Sequence, residues 1–169
     1  MCGETNRPTF GGTIAVLFPR EPRFSSSASD SSLSSSPDSV ASSSSFSGLS
    51  SYSLFFRDAD AESRKTKAVF RIDDAETYQT LRGCRDLNMR IEKFGDLSST
   101  APSTPPLHQF RLDLSHTHRQ QPGQSSTDLE LELPERLDLG ASEKGVVGRQ
   151  VTVTEAGGAV LGVGIVGYN

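Results

Sequence analysis

Tryptophan is absent, cysteine occurs only twice in 169 residues, and no apolar stretch approaches membrane length. Each shortage excludes something. Cys2 and Cys84 are too few and too far apart for the disulfide framework of a small secreted domain. The apolar run Ile14-Ala15-Val16-Leu17-Phe18 is shorter than the roughly 7–15 residues of a secretory signal core. It is far below the roughly 20 residues that cross a bilayer. A cytoplasmic or nuclear protein with no membrane partner is therefore expected. A serine-rich organelle transit peptide is the alternative for the N-terminus, and Glu4, Glu21, Asp30 and Asp38 argue against it. Cys2 follows the initiator methionine, an acylation position, but lacks a neighbouring basic run or a glycine at position two.

An excess of charge of either sign is also lacking. The net charge of −4 is far from the basic balance of a nucleic-acid binder, so no nucleic-acid partner is expected. Arg64, Lys65 and Lys67 form the basic cluster, which reads as a solvated segment. Apolar residues other than glycine make up 34%, below the roughly 45–50% typical of globular chains, a figure that also counts glycine. Part of the chain should therefore remain unfolded.

The organisation follows from where the apolar residues fall. Residues 1–23 hold one short strand, Thr13 to Phe18, closed by Pro19. Such a strand must add to a sheet made elsewhere or dock on a partner. Residues 24–51 are dominated by serine. Serine competes for backbone hydrogen bonds and brings no burial to offset chain entropy, so this segment reads as a disordered linker. Ser36-Pro37 and Thr104-Pro105 are proline-directed phosphorylation candidates at Ser36 and Thr104.

Residues 52–169 read as a small α+β domain. Tyr52, Leu54, Phe55 and Phe56 open it, and Ala68, Phe70 and Ile72 alternate as a strand. Ala75, Tyr78, Leu81, Cys84, Leu87, Ile91 and Phe94 then recur at three- and four-residue spacing. That spacing predicts one long amphipathic helix. Asp73 and Glu76 supply an acidic capping box, and Gly95 the stop. Period two returns at His108, Phe110, Leu112, Leu114, His116 and His118, and again at Leu129, Leu131, Leu133, Leu137 and Leu139. Pro134 makes the latter an edge strand or a bulged pair. Val147, Val151 and Val153 approach a turn at Glu155 to Gly158, and Ala159, Leu161, Val163 and Ile165 leave it as a hairpin. Gly162 and Gly164 share the other face, which allows close approach of another backbone. The expected fold is a small, mostly antiparallel sheet with one amphipathic helix, preceded by the serine-rich region.

Chemistry is hard to find. Gly162-Val163-Gly164-Ile165-Val166-Gly167 spells the dinucleotide fingerprint, but no helix or later acidic residue follows it. His116 and His118 share a strand face, yet zinc needs three or four ligands and His108 lies too far back. Cys84 sits on the apolar helix face, where a thiol is inert. No catalytic residue, cofactor or metal is assigned, and no enzyme is expected.

Leu129-Glu130-Leu131-Glu132-Leu133 is similar to the Leu-x-Leu-x-Leu repression motif called EAR, found in plant transcriptional regulators. That resemblance implies recruitment of Topless-type co-repressors through Leu129, Leu131 and Leu133. A half-buried strand explains the same leucines. The leading expectation is a non-enzymatic interaction or regulatory protein that binds another protein, with the serine-rich arm as its phosphorylatable part. A co-repressor adaptor and a small ligand-binding module or enzyme are the alternatives.

Overall fold

A computed structural model describes residues 12–20, 48–59, 64–98, 105–115 and 128–169. It corrects the expected fold. Among the described residues the chain is mostly antiparallel β: an eight-stranded, nearly closed, barrel-like sheet with a single short helix. The strands are β1 (Thr13–Leu17), β2 (Tyr52–Asp58), β3 (Thr66–Arg71), β4 (Asp86–Ile91), β5 (His108–Asp113), β6 (Asp128–Glu132), β7 (Gln150–Glu155) and β8 (Val160–Tyr168). The helix α1 spans Ala75–Gly83. Strand order is β5-β4-β7-β8-β1-β2-β3-β6, with every neighbouring pair antiparallel.

The correction concentrates between residues 84 and 94. The expected helix stops at Gly83, and its second half is β4. Leu87 and Ile91 satisfy helical spacing, but with Met89 they also alternate at period two, and all three are buried. Strand pairing decides the outcome, because β4 is bonded on both sides, to β5 and to β7. The cap also moves by one residue: Asp74, not Asp73, accepts from the Thr77 backbone N–H at 2.7 Å. That bond, together with one from the Thr77 hydroxyl, lowers the Asp74 carboxyl below its ordinary value. Asp74→Ala should fray the first turn, read as faster amide exchange at Thr77, with the sheet amides unchanged.

Inward residues fill the barrel. Ala15 and Leu17 of β1, Tyr52, Leu54 and Phe56 of β2, and Ala68 and Phe70 of β3 meet Met89, Phe110, Leu131 and Val153 in one buried cluster. An eight-stranded barrel has an interior just wide enough for side chains. At one end α1 inserts Leu81 and Thr77, and the Thr77 hydroxyl accepts from the Ser50 backbone N–H at 2.8 Å. The segment after β6 joins the same core through Leu133, Leu137 and Val146. Arg149 pins part of this segment by donating to the carbonyls of Gly145, Glu143 and Lys93. The sheet's free edges are β5 and β6, which places the leucine strand at an edge, as Pro134 predicts. Across that seam His108 Nδ1 lies 2.8 Å from Glu135 Oε1, linking the start of β5 to the segment after β6.

Candidate functional site

Alternation in β1 leaves a second row of apolar side chains. Ala15 and Leu17 point inward, so Ile14, Val16 and Phe18 point out. Phe18 exchanges two backbone hydrogen bonds with Val163, both at 3.0 Å. Ile14 pairs with Gly167, and the same register sets Val16 beside Ile165. On the other side Ile14 pairs with Phe55, and Phe55 with Val69. Outward positions along β8, β1, β2 and β3 are thus largely apolar; Val69 and Val163 among them are already buried, while Val16 and Phe18 are exposed.

A strap runs along the margin of these strands. After β4 the chain stays beside β7 from Glu92 to Phe94, and Gly95 then passes close to Ile165 of β8. Glu92 and Phe94 bond to Gln150 through their backbones. A Cβ on Gly95 would sit 3.5 Å from Ile165 Cδ1 and would overlap the Gly148 carbonyl. Gly95 thus serves a close crossing, not a helix stop. The strap is tied at its far end by Arg20 Nη2, which donates to the Leu97 carbonyl at 2.7 Å. Strap and strands together leave Phe94 70%, Phe18 58%, Val16 43% and Leu97 40% exposed. Scattered exposed apolar residues are ordinary, whereas a contiguous group marks a contact surface.

The cations of this face lie to one side. Arg57 and Lys67 are register neighbours on β2 and β3. The Arg71 guanidinium sits 5.0 Å above the Phe55 ring, a cation–π arrangement. It also pairs with Asp128 at 3.1 Å, and this pairing raises its already high pKa.

Tyr52 and Cys84 are buried groups of the interior that carry polar atoms. Tyr52 is 3% exposed, and its hydroxyl has no hydrogen-bond partner among the described residues. It occupies the space above Gly162, where a Cβ would lie 2.7 Å from the hydroxyl oxygen. Burial pushes its pKa upward, with Cys84 adding to the shift. The Cys84 thiol donates to the Thr80 carbonyl, and burial pushes its pKa up to about 11, with a smaller contribution from Glu155. Such a thiol stays protonated at neutral pH and is a poor nucleophile. Tyr52→Phe should stabilise the barrel by about 1 kcal/mol, because it removes a buried unpaired hydroxyl and keeps the ring. A thermal melt would show a rise of roughly 2–4 °C. A loss of similar size would show that the hydroxyl has a partner.

A depression of about 400 Å³ is lined by Asp58, Arg136, Leu137, Asp138 and Leu139. Its polar groups are already occupied. Arg136 makes a two-pronged pair with Asp58, both contacts at 3.2 Å. Asp138 accepts from the Ser142 hydroxyl and from the Gly140 N–H, which together lower its pKa. Among the described residues no group of three His, Cys, Asp or Glu side chains is placed to hold a metal ion.

The candidate residues drawn from the sequence are scattered by the fold. Leu129, Leu131 and Leu133 are all buried, with β6 bonded to β3 and Leu133 N–H donating to Thr66 O at 2.8 Å. As folded, the motif presents its acidic residues outward and no leucine to a groove. Ser36, Thr104, His116, His118 and Cys2 lie outside the described residues. Gly162 and Gly164 lie inside β8, where Tyr52, Leu17 and the Val16 carbonyl approach closely. Sequence reasoning missed the outer face. Its signal was the unbroken run from Ile14 to Phe18, since a strand apolar on both sides needs two covers.

The class is thus an eight-stranded antiparallel barrel-like fold, among the described residues, with a buried apolar core inside it. No protein-family model, curated protein sequence or solved structure matches the chain. Among the described residues no helix is long and apolar enough to cross a membrane.

Proposed function

We propose that this barrel is a non-enzymatic interaction module that binds another protein through the outer face of β8, β1, β2 and β3. The observation that supports this most is the exposure of Phe18, Phe94, Val16 and Leu97, each 40–70% exposed, with Arg20 just after β1 bonded to the Leu97 carbonyl and Gly95 close to Ile165. Aromatic side chains held on rigid strands are effective anchors, since little conformational freedom is lost on contact. The depression lined by Asp58, Arg136 and Asp138 has its polar groups already paired. In this reading the serine-rich stretch between β1 and β2 is the regulatory part, with Ser36 as its modification point.

The test is a full-length Phe18→Ser, Phe94→Ser double variant compared with wild type by affinity purification from native cells. Both side chains are exposed, so the melting temperature should move by no more than a few degrees. Partners that survive washing with wild type should be lost with the variant. Equal recovery of the same partners from a folded double variant would sink the proposal.

A further inference from the structure

The two free edges of the sheet, β5 and β6, follow one another in the chain. Eight strands that alternate in direction leave the first and last antiparallel, so these edges are oriented to pair with each other. In an antiparallel ladder alternate residues turn their backbone groups to the same neighbour. The Leu114 N–H bonds to the Arg85 carbonyl, and the Leu133 N–H to the Thr66 carbonyl, which sets the alternation on both edges. Phe110 and Leu112 thus spend their backbone groups on β4, and Leu129 and Leu131 on β3. The backbone groups of Gln109 and Arg111, and of Glu130 and Glu132, point into the seam, and among the described residues nothing bonds to them. At one end the seam is already joined by the 2.8 Å contact of His108 Nδ1 with Glu135 Oε1. That contact sets His108 opposite Glu135 or, with the pair on a diagonal, opposite Leu133. The first register puts Arg111 opposite Glu132, the second opposite Glu130, an acid in either case. In the structure Arg111 instead donates to Asp86 of β4 at 2.8 Å, and Glu132 is held by Lys65.

We infer that the seam is a two-state device: β5 and β6 pair to close the barrel when Arg111 passes from Asp86 to the facing acid of β6. Closing gives the seam-facing backbone groups partners and removes two edges that otherwise invite pairing with another chain. The ion pair is exchanged one for one, so it costs little. Asp113 opposes closing, because either register sets it opposite a second acid, Asp128 or Glu130, and like charges directly opposite destabilise a strand pair. The balance between these terms holds the seam in two states that small changes of charge interconvert.

The experiment compares the full-length protein with an Asp86→Asn, Asp113→Asn variant by amide exchange and proton NOE measurements. The substitutions keep side-chain shape, release Arg111 and remove the opposing charge. Exchange of the Arg111 and Glu130 amides should slow by about tenfold in the variant, since each gains a partner across the seam. An NOE between the α-protons of Leu112 and either Leu129 or Leu131 should strengthen with it, because these residues face each other in the closed ladder. Adding Arg111→Gln to the variant should reverse both effects. Seam amides that exchange alike in wild type and variant would overturn the inference: fast in both means edges that never pair, and slow in both means a barrel that is permanently closed. Slow exchange in the variant that is lost on dilution would replace closure with pairing between two copies.

Discussion

Valine in place of Gly164 should leave no cooperatively folded barrel. A Cβ at that position would overlap the Val16 carbonyl oxygen and lie 3.1 Å from Leu17 Cδ2. The obstacle is backbone of a paired strand, which cannot swing aside as a side chain can. β8 is bonded to β7 on one side and to β1 on the other, so relief at one contact breaks the other. A cost above about 4 kcal/mol is expected, in the range reserved for severe steric or core disruption. Domains of this kind have only about 5–15 kcal/mol in hand. Circular dichroism melting should show a broad, non-cooperative loss of strand signal. Gly83→Ala is the matched control. It is a helical glycine at which an added Cβ would meet nothing within 4 Å, so the change should be neutral or stabilising by up to about 1 kcal/mol. A cooperative melt from the valine variant near the wild-type temperature would show that β1 and β8 do not approach this closely.

Removing residues 1–51 should have an equally large effect. The serine-rich stretch separates β1 from β2 by a long way in sequence, but the sheet places them side by side. β1 also pairs with β8, so its loss opens the sheet in its middle. Ala15 and Leu17 leave the core, and two long strand edges become unpaired, an invitation to aggregate. A chain beginning at Tyr52 should therefore show no cooperative urea transition and should elute as large assemblies. Deleting only residues 24–44, with β1 retained, should leave the transition midpoint near wild type. A sharp transition from the shorter chain would mean that β1 is an attachment and not part of the sheet.

Much of the strand content was legible in the sequence because one face of each strand is buried. Phe110 and Leu112, Leu129 and Leu131, and the hairpin of Val151, Val153 and its partners announce themselves at period two. The barrel was not legible. Its closure depends on β4, and the spacing of Leu81, Cys84, Leu87 and Ile91 fits a helix as well as a strand. Only Met89, between Leu87 and Ile91, favours the strand, and a single residue is weak evidence against a capped helical pattern. The candidate site was less legible still. Periodicity shows that Ile14, Val16 and Phe18 share a face, but burial of that face depends on where a distant strap crosses. Arg20 and Leu97 meet across 77 positions of sequence, and no local pattern marks that contact.

The placement of β8 between β7 and β1 also governs how the protein is made. β1 leaves the ribosome early, yet one of its two pairing edges stays empty until β8, some 150 residues later, has been synthesised. Contacts so distant in sequence make folding slow. The apolar rows of β1 must meanwhile be kept from other nascent chains, so a holding chaperone acting during translation should raise the yield of this protein more than one acting on the released chain.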